Sequence, residues 1–167
     1  MIQVYTGNGK GKTTACLGLA IRAAGAGLKV FICQFVKNIK CSELNSLKKI
    51  KNITIEQFGS GCFVRTKARP KDKQAAVSGL KRAGGVIDQK RFDVVILDEI
   101  NVAVHLGLVN PEEVAALIEK TPSNIELILT GRNAHAGIIK KADLVSEIKE
   151  VKHYYKRGVK ARRGIEY

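Results

Sequence analysis

The chain has 167 residues, of which 45% are hydrophobic, and a formal net charge of +14. That length suits one domain, 1–167, with its own core, no apolar run approaches the ~20 residues of a membrane span, and Met1 leads straight into a strand with no room for a signal peptide. The charge favours anionic partners, whether nucleoside triphosphate, phosphorylated small molecule, nucleic acid or acidic protein, and does not choose among them.

Ile2, Val4 and Tyr5 open a short β-type segment, and Gly7-Asn8-Gly9-Lys10-Gly11-Lys12-Thr13-Thr14 follows at once. From Lys12 the pattern turns helical to about Ala24, with Ala15, Cys16, Leu19, Ala20 and Ala23 at helical spacing. Strand, glycine loop and helix start, in that order, make a phosphate loop: glycines free backbone N–H groups to turn toward phosphate oxygens at the positive helix end. Lys12 is then expected to reach the phosphates and the Thr13 hydroxyl to take a magnesium ion. The glycine spacing is unusual, because Thr6 stands where the first glycine of G-x-x-x-x-G-K-T belongs.

Leu28–Phe35 reads as a strand buried on both faces, followed by a lysine-rich stretch to Lys51 around Glu43. Ile53–Phe58 reads as a third strand, and residues 59–70 as a basic loop closed by Pro70. Lys71–Gln89 has the helical pattern, with Gly84-Gly85 marking a kink or early break. Phe92–Leu97 is a fourth strand; Asn110-Pro111-Glu112-Glu113 is a helix start with capping side chain, proline and acids in place. Ile125–Leu129 and Leu144–Val151 supply the fifth and sixth strands. The expected fold is therefore α/β, a mostly parallel six-stranded sheet flanked by helices, of the phosphate-loop NTPase (RecA-like) kind, with ligands at the carboxyl ends of the strands.

Asp98-Glu99 places two carboxylates just past the fourth strand, where they would hold magnesium directly or through water. Arg132, in Thr130-Gly131-Arg132, should emerge on the same edge and can bind phosphate, carboxylate or carboxamide. Arg22 lies along the first helix and reads by default as a surface arginine. The last nineteen residues hold seven Lys/Arg with His153, Tyr154, Tyr155 and Tyr167. This basic tail from about 149 fits a nucleic-acid surface, a clasp over a bound anion or a solvated tail. The four cysteines form no C-x-x-C pair, so zinc and disulfides are not expected and a reduced cytoplasm is.

Together these residues resemble the phosphate-loop ATP:corrinoid adenosyltransferases (cob(I)alamin adenosyltransferases). The matching pieces are Gly7–Thr14, Gln34-Phe35-Val36-Lys37, Val95–Glu99, Thr130-Gly131-Arg132, Ala142–Glu147, Val151-Lys152-His153, Gly158–Ala161 and Gly164–Tyr167. The resemblance implies transfer of the 5′-deoxyadenosyl group of ATP to the Co(I) of a reduced corrinoid, with the whole triphosphate leaving and ATP held reversed in the loop. It implies magnesium on Thr13 and Glu99, and backbone N–H groups, Lys10 and Lys12 around the triphosphate. It also implies Arg22 on the ATP side, Arg132 near the corrinoid, a homodimer and a flavoprotein as reductant. No general base is needed, since the cofactor-like substrate is itself the nucleophile. Relatives place aromatics against the lower face of the corrinoid in a Gly-Phe-x-Trp pattern; here Gly61 precedes Cys62-Phe63-Val64, so Phe63 is the candidate substitute and Cys62 a candidate cobalt ligand. The N-terminal segment common before the first strand in relatives is missing, so any lid is expected from elsewhere. Two rivals predict ADP as product instead: a RecA-like ATPase or nucleic-acid-binding NTPase, and a small-molecule kinase.

Overall fold

A computed structural model describes residues 1–37, 41–59 and 69–167. Six strands form one sheet in the order β3-β2-β4-β5-β1-β6, every pair parallel. They are β1 (Ile2–Thr6), β2 (Val30–Phe35), β3 (Ile53–Phe58), β4 (Val94–Asp98), β5 (Glu126–Thr130) and β6 (Leu144–Glu147). Between them run α1 (Lys12–Gly25), α2 (Ser42–Leu47), α3 (Pro70–Gln89), α4 (Ile100–His105), α5 (Pro111–Lys120) and α6 (Ala136–Lys141). Parallel neighbours need such crossovers, which is why strand and helix alternate.

All six residues of β2 and all five of β4 are buried, as their unbroken apolar runs demand. Alternate residues serve opposite faces. Phe31, Cys33, Val95, Leu97, Leu127 and Leu129 join α3, α4, α5 and α6 in one core, while Val30, Ile32, Val94, Ile96 and Ile128 meet α1 and α2 in the other. Helix α3 runs unbroken through Gly84-Gly85. The first of these glycines lies against α5, where a Cβ would sit 3.2 Å from the Lys120 Nζ, so Gly84 serves packing, while a Cβ at Gly85 would meet nothing within 4 Å. Gly79 lets the same helix close on the sheet: a Cβ there would stand 2.9 Å from the rings of Phe35 and Phe58.

Strands β2, β4 and β5 are shifted by one or two residues from the sequence pattern, and three further differences have a visible cause. Helix α4 follows β4 directly and has no capping sequence; its start is made by Glu99, which takes a left-handed φ of 63°. Pro70 opens α3 at its first turn, where the Asp72 carboxylate accepts from Arg69 N at 2.9 Å and from the Arg69 guanidinium. β6 stops at Glu147 because the next residue leaves the sheet to bind the loop after β1: Ile148 N donates to Thr6 O and its carbonyl accepts from Gly9 N at 2.7 Å. No described helix is long and apolar enough to cross a membrane.

Candidate active site

The loop between β1 and α1 stands at the carboxyl edge of the sheet, as the switch-point rule expects. Thr6 ends β1 in an extended backbone and its hydroxyl accepts from Ala134 N, so the sharp turn falls on the next residue, Gly7, at φ 95°. Gly11 takes φ 122° and precedes the first helical residue. Close approach also demands glycine at Gly7, and by itself at Gly9: a Cβ would meet the Ile148 carbonyl oxygen at 2.5 Å and 2.8 Å. The Gly9 N–H is therefore committed to Ile148 and does not face a phosphate, contrary to the simple picture of all loop N–H groups turning inward. Asn8 and Thr14 are exposed on either side of the loop.

Lys12 is buried and folds over the loop, donating to Gly7 O at 2.7 Å and Gly9 O at 2.6 Å. Burial pulls its pKa down; Glu99 opposes that shift and Arg132 reinforces it. Lys10 turns the other way, with Nζ 2.7 Å from both Tyr154 Oη and Glu166 Oε1. The C-terminal segment thus lies over the loop. A 3₁₀ turn at Tyr154–Arg157 supplies Tyr154, whose hydroxyl bonds to Glu166, and Arg162 pairs with the same carboxylate. Lys10 is the tie between this basic segment and the loop, while most side chains of 149–167 are exposed. Beside it, Asn8, Glu147, Lys149, Glu150 and Lys156 line a cavity of about 450 Å³.

Beneath the loop sits Asp98, the last residue of β4 and wholly buried. Its Oδ1 accepts from Thr13 Oγ1 at 3.0 Å and Thr130 Oγ1 at 2.7 Å, and its Oδ2 from Gln34 Nε2 and Lys37 Nζ, each at 3.2 Å. Gln57 Nε2 in turn donates to Gln34 Oε1 at 3.0 Å, and Thr130 Oγ1 accepts from Glu99 N at 3.0 Å. Four donors on one carboxylate satisfy a buried charge that would otherwise be costly. Asp98 is not the cap of α4; that position belongs to Glu99, whose side chain is 21% exposed and lies 4.0 Å from Lys37 Nζ. Burial, then the charge of Asp98, raises the Glu99 pKa, while Lys37, Lys12 and Arg132 hold it back. Burial works against the charge of Lys37, yet Asp98 and then Glu99 outweigh it and leave its pKa raised.

The residues named from the sequence are partly assembled here. Thr13, Asp98, Glu99 and Lys12 converge; Arg132 is exposed but close enough to shift both Lys12 and Glu99. Arg22 is not brought to the loop: it lies in the last turn of α1, about 15 Å of helix rise beyond Lys12. Cys62 and Phe63 lie outside the described residues. Cys16, Cys33 and Cys41 are buried free thiols, and no group of three His, Cys, Asp or Glu side chains suited to a metal occurs among the described residues. The reading of the residues gave no role to Gln34, Lys37 or Thr130. A glutamine inside the otherwise apolar β2 was the available signal, since a buried amide needs a partner.

The family model described as ATP:corrinoid adenosyltransferase BtuR/CobO/CobP matches residues 1–167. The chain belongs to this family. The corrinoid adenosyltransferase of Escherichia coli (strain K12) is 36% identical over 167 residues, which is 100% of this chain and 85% of that protein. Corrinoid adenosyltransferase CobA of Salmonella typhimurium is 35% identical over 167 residues, with the same coverage. The corrinoid adenosyltransferase of Pseudomonas aeruginosa is 33% identical over 169 residues, covering 100% of this chain and 83% of the relative.

Proposed function

We propose that the chain transfers the 5′-deoxyadenosyl group of ATP to the Co(I) centre of a reduced corrinoid. The cobalt electron pair attacks C5′, the C5′–O bond breaks, and that bonding pair leaves with the triphosphate oxygen. The observation that carries the reading is the Thr13–Asp98 hydrogen bond at 3.0 Å, which ties the phosphate loop to the carboxylate pair at one sheet edge, in a chain matched to this family throughout.

The donor set suits magnesium: a threonine hydroxyl and a partly exposed Glu99 carboxylate supply oxygens, and the Lys37 ammonium drawn between them marks a place that charge favours for a cation. Thr13 and Glu99 would hold the ion, which neutralises charge on the departing triphosphate. Asp98, saturated by four donors, orients Thr13 instead of ligating. Lys12 and, once released from Glu166, Lys10 add positive charge where the leaving group develops it. No residue has to accept a proton, so the protein contributes orientation and charge. Arg132 near the corrinoid, a second copy of the chain and a flavoprotein donor belong to the same reading through the family resemblance.

Incubation with ATP, magnesium and chemically reduced cobalamin tests it. The expected products are light-sensitive adenosylcobalamin and one tripolyphosphate per turnover; ADP in place of tripolyphosphate rejects the proposal.

A further inference from the structure

Lys37 is held more firmly than a solvent lysine needs to be. The residue before it, Val36, adopts φ 62°, a conformation that β-branched side chains rarely take and that persists only where surroundings enforce it. Val36 N donates to Phe58 O at 3.1 Å, and Gly59 passes so close that a Cβ would meet the Lys37 carbonyl carbon and oxygen at 2.7 Å. The chain leaving β2 is thereby turned back so that the Lys37 side chain, 11% exposed, ends under the phosphate loop. Its Nζ stands 3.2 Å from Asp98 Oδ2, 3.4 Å from Thr13 Oγ1 and 4.0 Å from Glu99 Oε1. Thr13 and Glu99 are the groups assigned to the magnesium site, and Asp98 is the carboxylate that orients Thr13.

We propose that Lys37 is a positioning residue whose ammonium fills the cation position among Thr13, Asp98 and Glu99 until nucleotide arrives, so that divalent metal and ATP enter together. The inference rests on the magnesium assignment above. A divalent ion arriving alone must expel an ammonium into a nearly closed space where Lys12 and Arg132 already repel it. When the ion arrives on ATP, the polyphosphate supplies the anion that the displaced ammonium needs. Metal and nucleotide then strengthen each other by the same factor, as linkage requires.

Mn²⁺ titration without corrinoid, followed by the signal of the free ion, tests this. In the unsubstituted protein saturating ATP should strengthen Mn²⁺ binding at least about tenfold. Lys37→Gln should bind Mn²⁺ alone at least about tenfold more tightly than the parent, with the benefit from ATP shrinking to match. Lys37→Arg should restore the parent pattern. Unchanged metal affinity in Lys37→Gln overturns the inference while leaving the magnesium assignment standing; no Mn²⁺ binding to the parent even with ATP removes both. If the glutamine variant does not fold, the parent still decides: the Lys37 ammonium nitrogen resonance should move with Mg²⁺ plus ATP and stay with Mg²⁺ alone. A resonance indifferent to both overturns the inference.

Discussion

Two layers of charge bracket the phosphate loop, and they are built on opposite principles. Below it, Asp98 and Lys37 form an ion pair with side-chain exposures of 0% and 11%, stitched in by Gln34, Thr13 and Thr130. Above it, Glu166 binds Lys10, Tyr154 and Arg162 at the surface, with the Lys10 side chain 40% exposed. A buried charge needs every partner in place, and losing one leaves the rest stranded. A surface pair is exchanged readily for water or a better anion. On the proposed reading the lower layer is scaffold for the chemistry, and the upper layer is a cover that ATP phosphates would displace from Lys10.

That contrast fails first at Asp98 if it is wrong. Asp98→Ala leaves Lys37 beside Glu99 alone and removes the acceptor of four donors, so unfolding in denaturant should show a loss of about 3–5 kcal/mol, with adenosyl transfer abolished. A loss under about 1 kcal/mol would mean that the network relaxes onto water and is no scaffold. Next comes Lys12→Ala. Because Lys12 spans the loop carbonyls of Gly7 and Gly9 without joining the core, the variant should keep a cooperative unfolding transition while product formation falls about a hundredfold or more. Equal turnover by parent and variant would strike Lys12 from the chemistry.

In the lower layer Thr13 and Asp98 were legible in the sequence, whereas their partners Gln34, Lys37 and Thr130 were not, nor was the upper layer, for a physical reason. Gly7–Thr14, Asp98 and Glu99 are each marked locally, by glycine spacing next to a strand or by carboxylates ending an apolar run, and the parallel sheet brings their ends to one edge whatever the details. Helix α4 escaped because it has no capping residue: its start depends on a left-handed Glu99 that no local pattern announces. The break expected at Gly84-Gly85 is absent because tertiary packing against α5 overrides glycine's intrinsic cost. The expected sixth strand ran too long because hydrophobic alternation carries no information about Ile148 leaving to bind Gly9. Lys10 with Glu166 joins residues separated by nearly the whole chain, and only the fold pairs them.

The seam between the layers is Gly9 against Ile148. Gly9→Ala puts a methyl 2.8 Å from the Ile148 carbonyl oxygen, an overpacking of about 1–3 kcal/mol, and should loosen the chain beyond β6. Faster proteolysis after Glu147, with the rest of the fold intact, is the expected readout; a parent-like digest would show that the segment is held elsewhere.

The smallest effect on stability belongs to Glu166→Gln, and its value lies in the sign of its pH dependence. The hydrogen bond from Lys10, then those from Tyr154 and Arg162 N, depress the Glu166 pKa below the ordinary 4.5. A depressed carboxylate stabilises the fold fully above that ordinary value and loses the contribution only as pH falls through the lower one. Glu99 runs the other way: raised by burial and by Asp98, it favours the fold below 4.5, and that contribution is lost as pH rises through its higher pKa. In metal-free protein, proteolytic protection of the C-terminal segment should therefore be level from pH 5 to pH 8 and weakened by Glu166→Gln across that whole range. Glu99 should instead make global stability fall as pH rises above 4.5, in parent and Glu166→Gln alike, and that fall should shrink in Glu99→Gln. A cover that opens along with the global transition would mean that the two layers are one cooperative unit, and that ATP must disturb the scaffold to reach Lys10.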